Sequence, residues 1–179
     1  YQLTGGSSNT AVGTQSLVSI TSGDNNTALG RWATGSTTTG SGNVALGYVA
    51  LYTPTTTVDC VAIGNSAMYG VASGQAITGA VAIGKDALLG SGSTTTGINY
   101  TVAIGHSALK ALTTGTTNVA IGYQALYSLT IGSNNVAIGK DALLDATEGV
   151  QNIAIGFESA KNITIGDNNI AIGREALAT

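Results

Sequence analysis

Apolar residues return in this chain at a fixed interval. The triplet Ala-(Val/Leu/Ile)-Gly ends at Gly13, Gly30, Gly47, Gly64, Gly84, Gly105, Gly122, Gly139, Gly156 and Gly173, giving steps of 17, 17, 17, 20, 21, 17, 17, 17 and 17 residues. A constant period of this length marks a solenoid, in which one short unit stacks on its neighbours. The stretch before each glycine predicts a strand: Val136-Ala137-Ile138 alternates a β-branched side with an alanine side, because strand side chains alternate between faces. The bulky side is expected to form the core. The alanine and glycine columns are expected where another backbone comes close, from the same chain or from a partner chain.

The segment after each glycine reads differently. Gly-x-x-Ala-Leu, as in Tyr123-Gln124-Ala125-Leu126, puts apolar residues three, four and seven positions on: Ala125, Leu126 and Leu129. That is helical spacing, and Ala, Leu, Lys and Gln are good helix formers. A helix of about two turns is one prediction, and a second short strand is the other. So short a helix would depend on the stack for stability.

Thr and Gly then recur (Thr130 and Gly132; Thr147 and Gly149), and glycine suits a turn with positive φ. An asparagine follows in most coils: Asn9, Asn26, Asn43, Asn118, Asn135, Asn152 and Asn169. Stacked asparagines can bond amide to amide along an axis. Cys60 and Thr101 take that position in two coils, so Cys60 reads as an inert substitute in the ladder rather than a reactive thiol.

These segments predict a mainly β repeat solenoid, a parallel β-helix or β-roll of about ten 17-residue coils. At ~4.8 Å per coil the rod is roughly 48 Å long. Residues 1–179 read as a single repeat array, and both ends look cut from a longer fibre. A thin coil buries little apolar surface per residue, so several chains are expected to share a core. The longer steps place larger loops at 70–80 and 90–101, and solenoid insertions often map to a binding face.

Composition narrows the chemistry. Lys+Arg number 6 against Asp+Glu 9, for a net charge of -3, which argues against nucleic-acid binding. No apolar run approaches the length of a membrane span, so no membrane insertion is expected. One cysteine and one histidine, His106, give no zinc set and no recurring nucleophile–base pair. The column after the glycine holds Lys85, His106, Tyr123, Lys140, Phe157 and Arg174, and that mixture predicts exposure. Lys85-Asp86, Lys140-Asp141 and Arg174-Glu175 suggest weak charge pairing between rungs. Trp32, Tyr48, Tyr52, Tyr69, Tyr123, Tyr127 and Phe157 cluster in the same region. Of these, Trp32, Tyr48, Tyr52, Tyr123 and Tyr127 are the candidate contact residues for a cell-surface glycan or protein receptor, with packing between protomers as the alternative. No catalytic residue, metal or cofactor is expected.

The phrases Asn118-Val-Ala-Ile-Gly-Tyr-Gln-Ala-Leu-Tyr and Asn135-Val-Ala-Ile-Gly-Lys-Asp-Ala-Leu resemble the repeats of tailed-phage tail-fibre proteins. Less closely, they resemble the head repeats of trimeric autotransporter adhesins, which are shorter and lack the Ala-Leu segment. The resemblance implies an elongated, homotrimeric β-solenoid that projects from a virion or cell surface and touches a host. The expectation is therefore a structural and adhesive fibre segment without enzymatic activity. A self-assembling extracellular filament or sheath subunit is one alternative, and an ice-binding solenoid built on the threonine column is another.

Overall fold

The computed structural model of the 179-residue chain describes residues 5–71, 76–90 and 95–178. The protein is a parallel β-solenoid. Its main wall is a ten-stranded parallel sheet of three-residue strands: β1 (Thr10–Val12), β2 (Thr27–Leu29), β3 (Val44–Leu46), β5 (Val61–Ile63), β7 (Val81–Ile83), β8 (Val102–Ile104), β9 (Val119–Ile121), β10 (Val136–Ile138), β11 (Ile153–Ile155) and β12 (Ile170–Ile172). Each strand pairs with the next coil in zero-offset register, so Val119, Ala120 and Ile121 face Val136, Ala137 and Ile138. A second, shorter pairing joins β4 (Thr56–Val58) to β6 (Ala76–Thr78). It continues down the rod as single bridges, Thr96 to Thr114, Ile131, Glu148 and Ile165. The described part of the 70–80 loop thus contributes a strand, whereas residues 72–75 and 91–94 of the two longer loops lie outside the described residues.

The strand faces run opposite to expectation. Ala28, Ala45, Ala62, Ala82, Ala103, Ala120, Ala137 and Ala154 are fully buried inside the coil, while the flanking Val, Leu and Ile side chains point outward. Volume explains the inversion. Across a coil this thin, Ala120 faces inward together with Ala125, Leu126 and Leu129, all with no exposed surface. The two leucines fill the lumen, so only a methyl group fits on the strand side. Burying each leucine is worth about 1.5–3 kcal/mol.

The segment after the glycine is not helical, and no helix occurs among the described residues. It is a run of tandem turns. Tyr127 N–H donates to Gln124 O and Leu129 N–H to Leu126 O, three residues back. The intervening amides leave the coil: Gln124 N–H donates to His106 O below, and Leu126 N–H to Ala142 O above, each at 3.0 Å. Gln124 and Leu126 have φ of 54° and 52°. An α-helix would spend these amides on its own carbonyls and give the stack nothing. The alternating left-handed residues, each third in its turn as a type II turn requires, release every second amide to a neighbouring coil.

The repeat glycine is required twice over. Gly122 has φ of 139°, and a Cβ there would meet the Gly139 carbonyl of the next coil. The glycine column is therefore a close approach within the chain rather than a surface kept for a partner.

Candidate functional site

Three columns carry the polar and apolar groups a partner or ligand would meet. The first is internal. Asn26 Nδ2 donates to Asn9 Oδ1 at 3.0 Å and Asn43 Nδ2 to Asn26 Oδ1 at 2.9 Å. Farther along, Asn135 donates to Asn118, Asn152 to Asn135 and Asn169 to Asn152, at 3.0, 3.1 and 2.9 Å. The amides from Asn9 to Asn152 each also cap a carbonyl of the adjoining turn, as Asn118 Nδ2 does with Gly132 O at 2.8 Å. Nothing here is free for outside chemistry: the column is scaffold. Cys60 interrupts it, with its N–H on Asn43 Oδ1 at 3.1 Å and its thiol 3.6 Å from Ile77 O. Burial pushes that thiol above its usual 9.0, as expected when the charged form is desolvated. Ala80 and Thr101 continue the interruption. The neighbouring threonines are also engaged, since Thr113 and Thr130 donate their hydroxyls to Thr130 O and Thr147 O at 2.7 and 2.8 Å.

The second surface is the outer face of the ten-stranded sheet. Its two outward columns hold only Val, Leu and Ile apart from Thr10 and Thr27, and no charged side chain. Leu29 is 49% exposed and Ile138 37%. The face runs the full length of the sheet, roughly 45 Å. A continuous apolar strip of that length exceeds the scattered patches of ordinary monomers.

The third surface is the tandem-turn face. All six lysines and arginines stand there, at the first or fifth residue after a repeat glycine: Arg31, Lys85, Lys110, Lys140, Lys161 and Arg174. Among the described residues, every aromatic except Tyr100 stands there too. Four of the cations pair with acids of their own coil: Lys85–Asp86 at 3.9 Å, Lys140–Asp141 at 3.1 Å, Lys161–Glu158 at 3.2 Å and Arg174–Glu175 at 3.0 Å. The charge pairs therefore close within a rung, not between rungs as expected. Rung-to-rung contact is instead between cation and ring: Lys140 lies 5.1 Å from the Phe157 ring centre and 6.0 Å from that of Tyr123. Such contacts are worth about 0.5–1 kcal/mol at exposed sites.

Three of the sequence-predicted contact residues come together. Trp32, Tyr48 and Tyr52 line one groove of 190 Å³ with Arg31, Val49 and Tyr69. The Trp32 and Tyr52 rings lie 5.3 Å apart at 42°, and Tyr52 stacks on Tyr69 at 5.5 Å and 12°. Gly35 makes room for this, since a Cβ there would sit 2.7 Å from Tyr52 Cδ2. Tyr123 and Tyr127 lie elsewhere on the face: Tyr123 stacks on the exposed His106 at 5.5 Å, and Tyr127 lies under Lys110 at 5.7 Å. Tyr69, part of the aromatic cluster legible in the sequence, joins the groove from the same fifth column as Tyr52, whereas sequence reasoning missed Arg31 as a member of it.

Among the described residues no group of three or more His, Cys, Asp or Glu is placed to hold a metal ion, and no helix is long and apolar enough to cross a membrane. The chain matches no protein-family model, no curated protein and no solved structure.

Proposed function

We propose that this chain is a structural and adhesive fibre segment, displayed from a virion or cell surface, that associates with copies of itself as a homotrimer and performs no catalysis. The uninterrupted apolar face of the ten-stranded sheet carries this reading. The coil already fills its own lumen with Ala and Leu, so the outer Val, Leu and Ile columns have no partner within the chain. Around a threefold axis each protomer would present that face to both neighbours and leave the tandem-turn face in water. The resemblance to tail-fibre and adhesin repeats supports the same arrangement.

Analytical ultracentrifugation at micromolar concentration tests it. A trimer that Ile121→Asp and Ile138→Asp together convert to folded monomer is the expected result. A well-folded monomer of the unaltered chain would overturn the assembly, and open-ended filaments by electron microscopy would favour the sheath reading instead.

A further inference from the structure

We infer that the groove around Trp32 is a saccharide site selective for an acidic pyranose, such as a hexuronate. The inference rests on the adhesive part of the reading above and names the ligand class. Two ridges bound the groove. Arg31 and Tyr48 follow successive repeat glycines on one side; Tyr52 and Tyr69 stand in the fifth column on the other; Trp32 and Val49 lie between them. Tyr48 and Tyr69 are exposed at 49% and 38%. These aromatic surfaces offer what the C–H face of a pyranose needs, a flat apolar platform edged by hydroxyls.

Charge selects among sugars. Among the described residues no carboxylate stands within ion-pairing distance of Arg31, whereas Lys85, Lys140, Lys161 and Arg174 each have one. Lys110 has the Tyr127 ring. Arg31 is exposed and borders the groove, so its guanidinium is available for a bidentate contact with a carboxylate. The chain is acidic overall and its other cations are engaged, which disfavours a polyphosphate strand running along the same face. The His106–Tyr123 stack offers no comparable site, because Lys140 covers the Tyr123 ring and is itself neutralised by Asp141.

Trp32 is the only tryptophan in the chain, so its emission reports on this groove alone. The intact chain is titrated with oligogalacturonate, with a malto-oligosaccharide of matched length and with oligothymidylate. The expected result is a saturable emission change with oligogalacturonate and binding about tenfold weaker for the neutral glucan, as loss of one charged hydrogen-bonded contact implies. Arg31→Gln should erase that difference, and Tyr48→Ala, an exposed site that leaves the coil intact, should weaken both saccharides. No saturable response to either saccharide would overturn the inference. So would equal affinity for the two, or tighter binding of oligothymidylate, or a Tyr48→Ala variant that binds normally. Sedimentation of the same samples separates the two readings: a trimer without a saccharide response sinks only the groove, and a monomer that responds sinks only the assembly.

Discussion

Asn135 sits directly on Asn118. Its side-chain amide and its backbone N–H both donate to Asn118 Oδ1, each at 3.0 Å, while Asn135 Nδ2 also reaches Gly149 O at 2.8 Å. Asn152 repeats both bonds onto Asn135 Oδ1. One side chain thus satisfies groups in three coils, and all of them are buried. Asn135→Ala leaves the Asn152 N–H and the Gly149 carbonyl without partners and takes one of two bonds from Asn152 Nδ2, which keeps Gly166 O. The expected loss is about 2–4 kcal/mol, read from the denaturation midpoint.

Cys60 offers the reverse experiment. Its thiol occupies the place of an asparagine amide, facing Ile77 O, and its N–H already reaches Asn43 Oδ1. Cys60→Asn should extend the amide column by one rung and raise stability by about 1 kcal/mol in thermal melts. In the unaltered protein the buried thiol, whose pKa is raised above 9.0, should resist a disulfide reagent at neutral pH and react only once the chain unfolds.

Gly122→Ala should cost about 3 kcal/mol or more. It forces an alanine to a φ of 139° and drives its Cβ to within 2.6 Å of the Gly139 carbonyl carbon, with no flexible side chain to yield. Gln124→Asn, two residues on, should do the opposite. Gln124 is held at φ 54°, a conformation asparagine tolerates better, and a gain of about 0.5–1 kcal/mol is expected from the same melts.

Neighbouring positions on one strand should respond in opposite ways. Ala137→Ile overfills a lumen in which Ala137, Ala142 and Leu143 are already buried, and a loss of about 1–3 kcal/mol or more is expected. Ile138→Asn, one residue later and facing outward, should change the fold stability of the isolated chain by no more than about 0.5 kcal/mol. Equal effects at the two sites would contradict the inward alanine.

Acid should loosen the first described rung. Asp24 Oδ1 accepts the Ser7 N–H at 2.7 Å and the Ser7 hydroxyl at 2.8 Å. The Ser7 backbone bond, followed by the hydroxyl bond, lowers the carboxyl below its ordinary 3.8. A folded-state pKa below the unfolded one means the stabilisation is present above about pH 3.8 and is lost as pH falls through the lowered value. A drop in the protection factors of the Ser7 and Asn25 amides on acidification, measured against the intrinsic exchange rate at each pH and abolished in Asp24→Asn, is the expected signature.

Periodicity carried the architecture because a coil that must stack can vary only where its side chains leave the stack. The strand, the turn glycine and the Asn column were all visible in that way. Two things were not. Alternation of Val, Ala and Ile states that two faces differ, but only the lumen width decides which one turns inward, and that width depends on Leu126 and Leu129 across the coil. The turn segment misled for a related reason. Its three-four-seven spacing arises from tandem turns as readily as from a helix, and the left-handed residues at its second and fourth positions include Trp32, Thr34, Val49 and Met68, types that give no sign of such a conformation. The aromatic cluster was legible as composition, but its split into one groove and two separate contacts depends on which rings share neighbouring coils.

Strand pairing without offset has a consequence for how such a chain changes over time. Because Val119 faces Val136 and Val136 faces Ile153, removing one whole period brings together partners of the same kind as those that were parted. Length then becomes a variable that can be altered in equal increments, each shifting whatever the far end carries by about 4.8 Å, with every remaining rung unaware of the change.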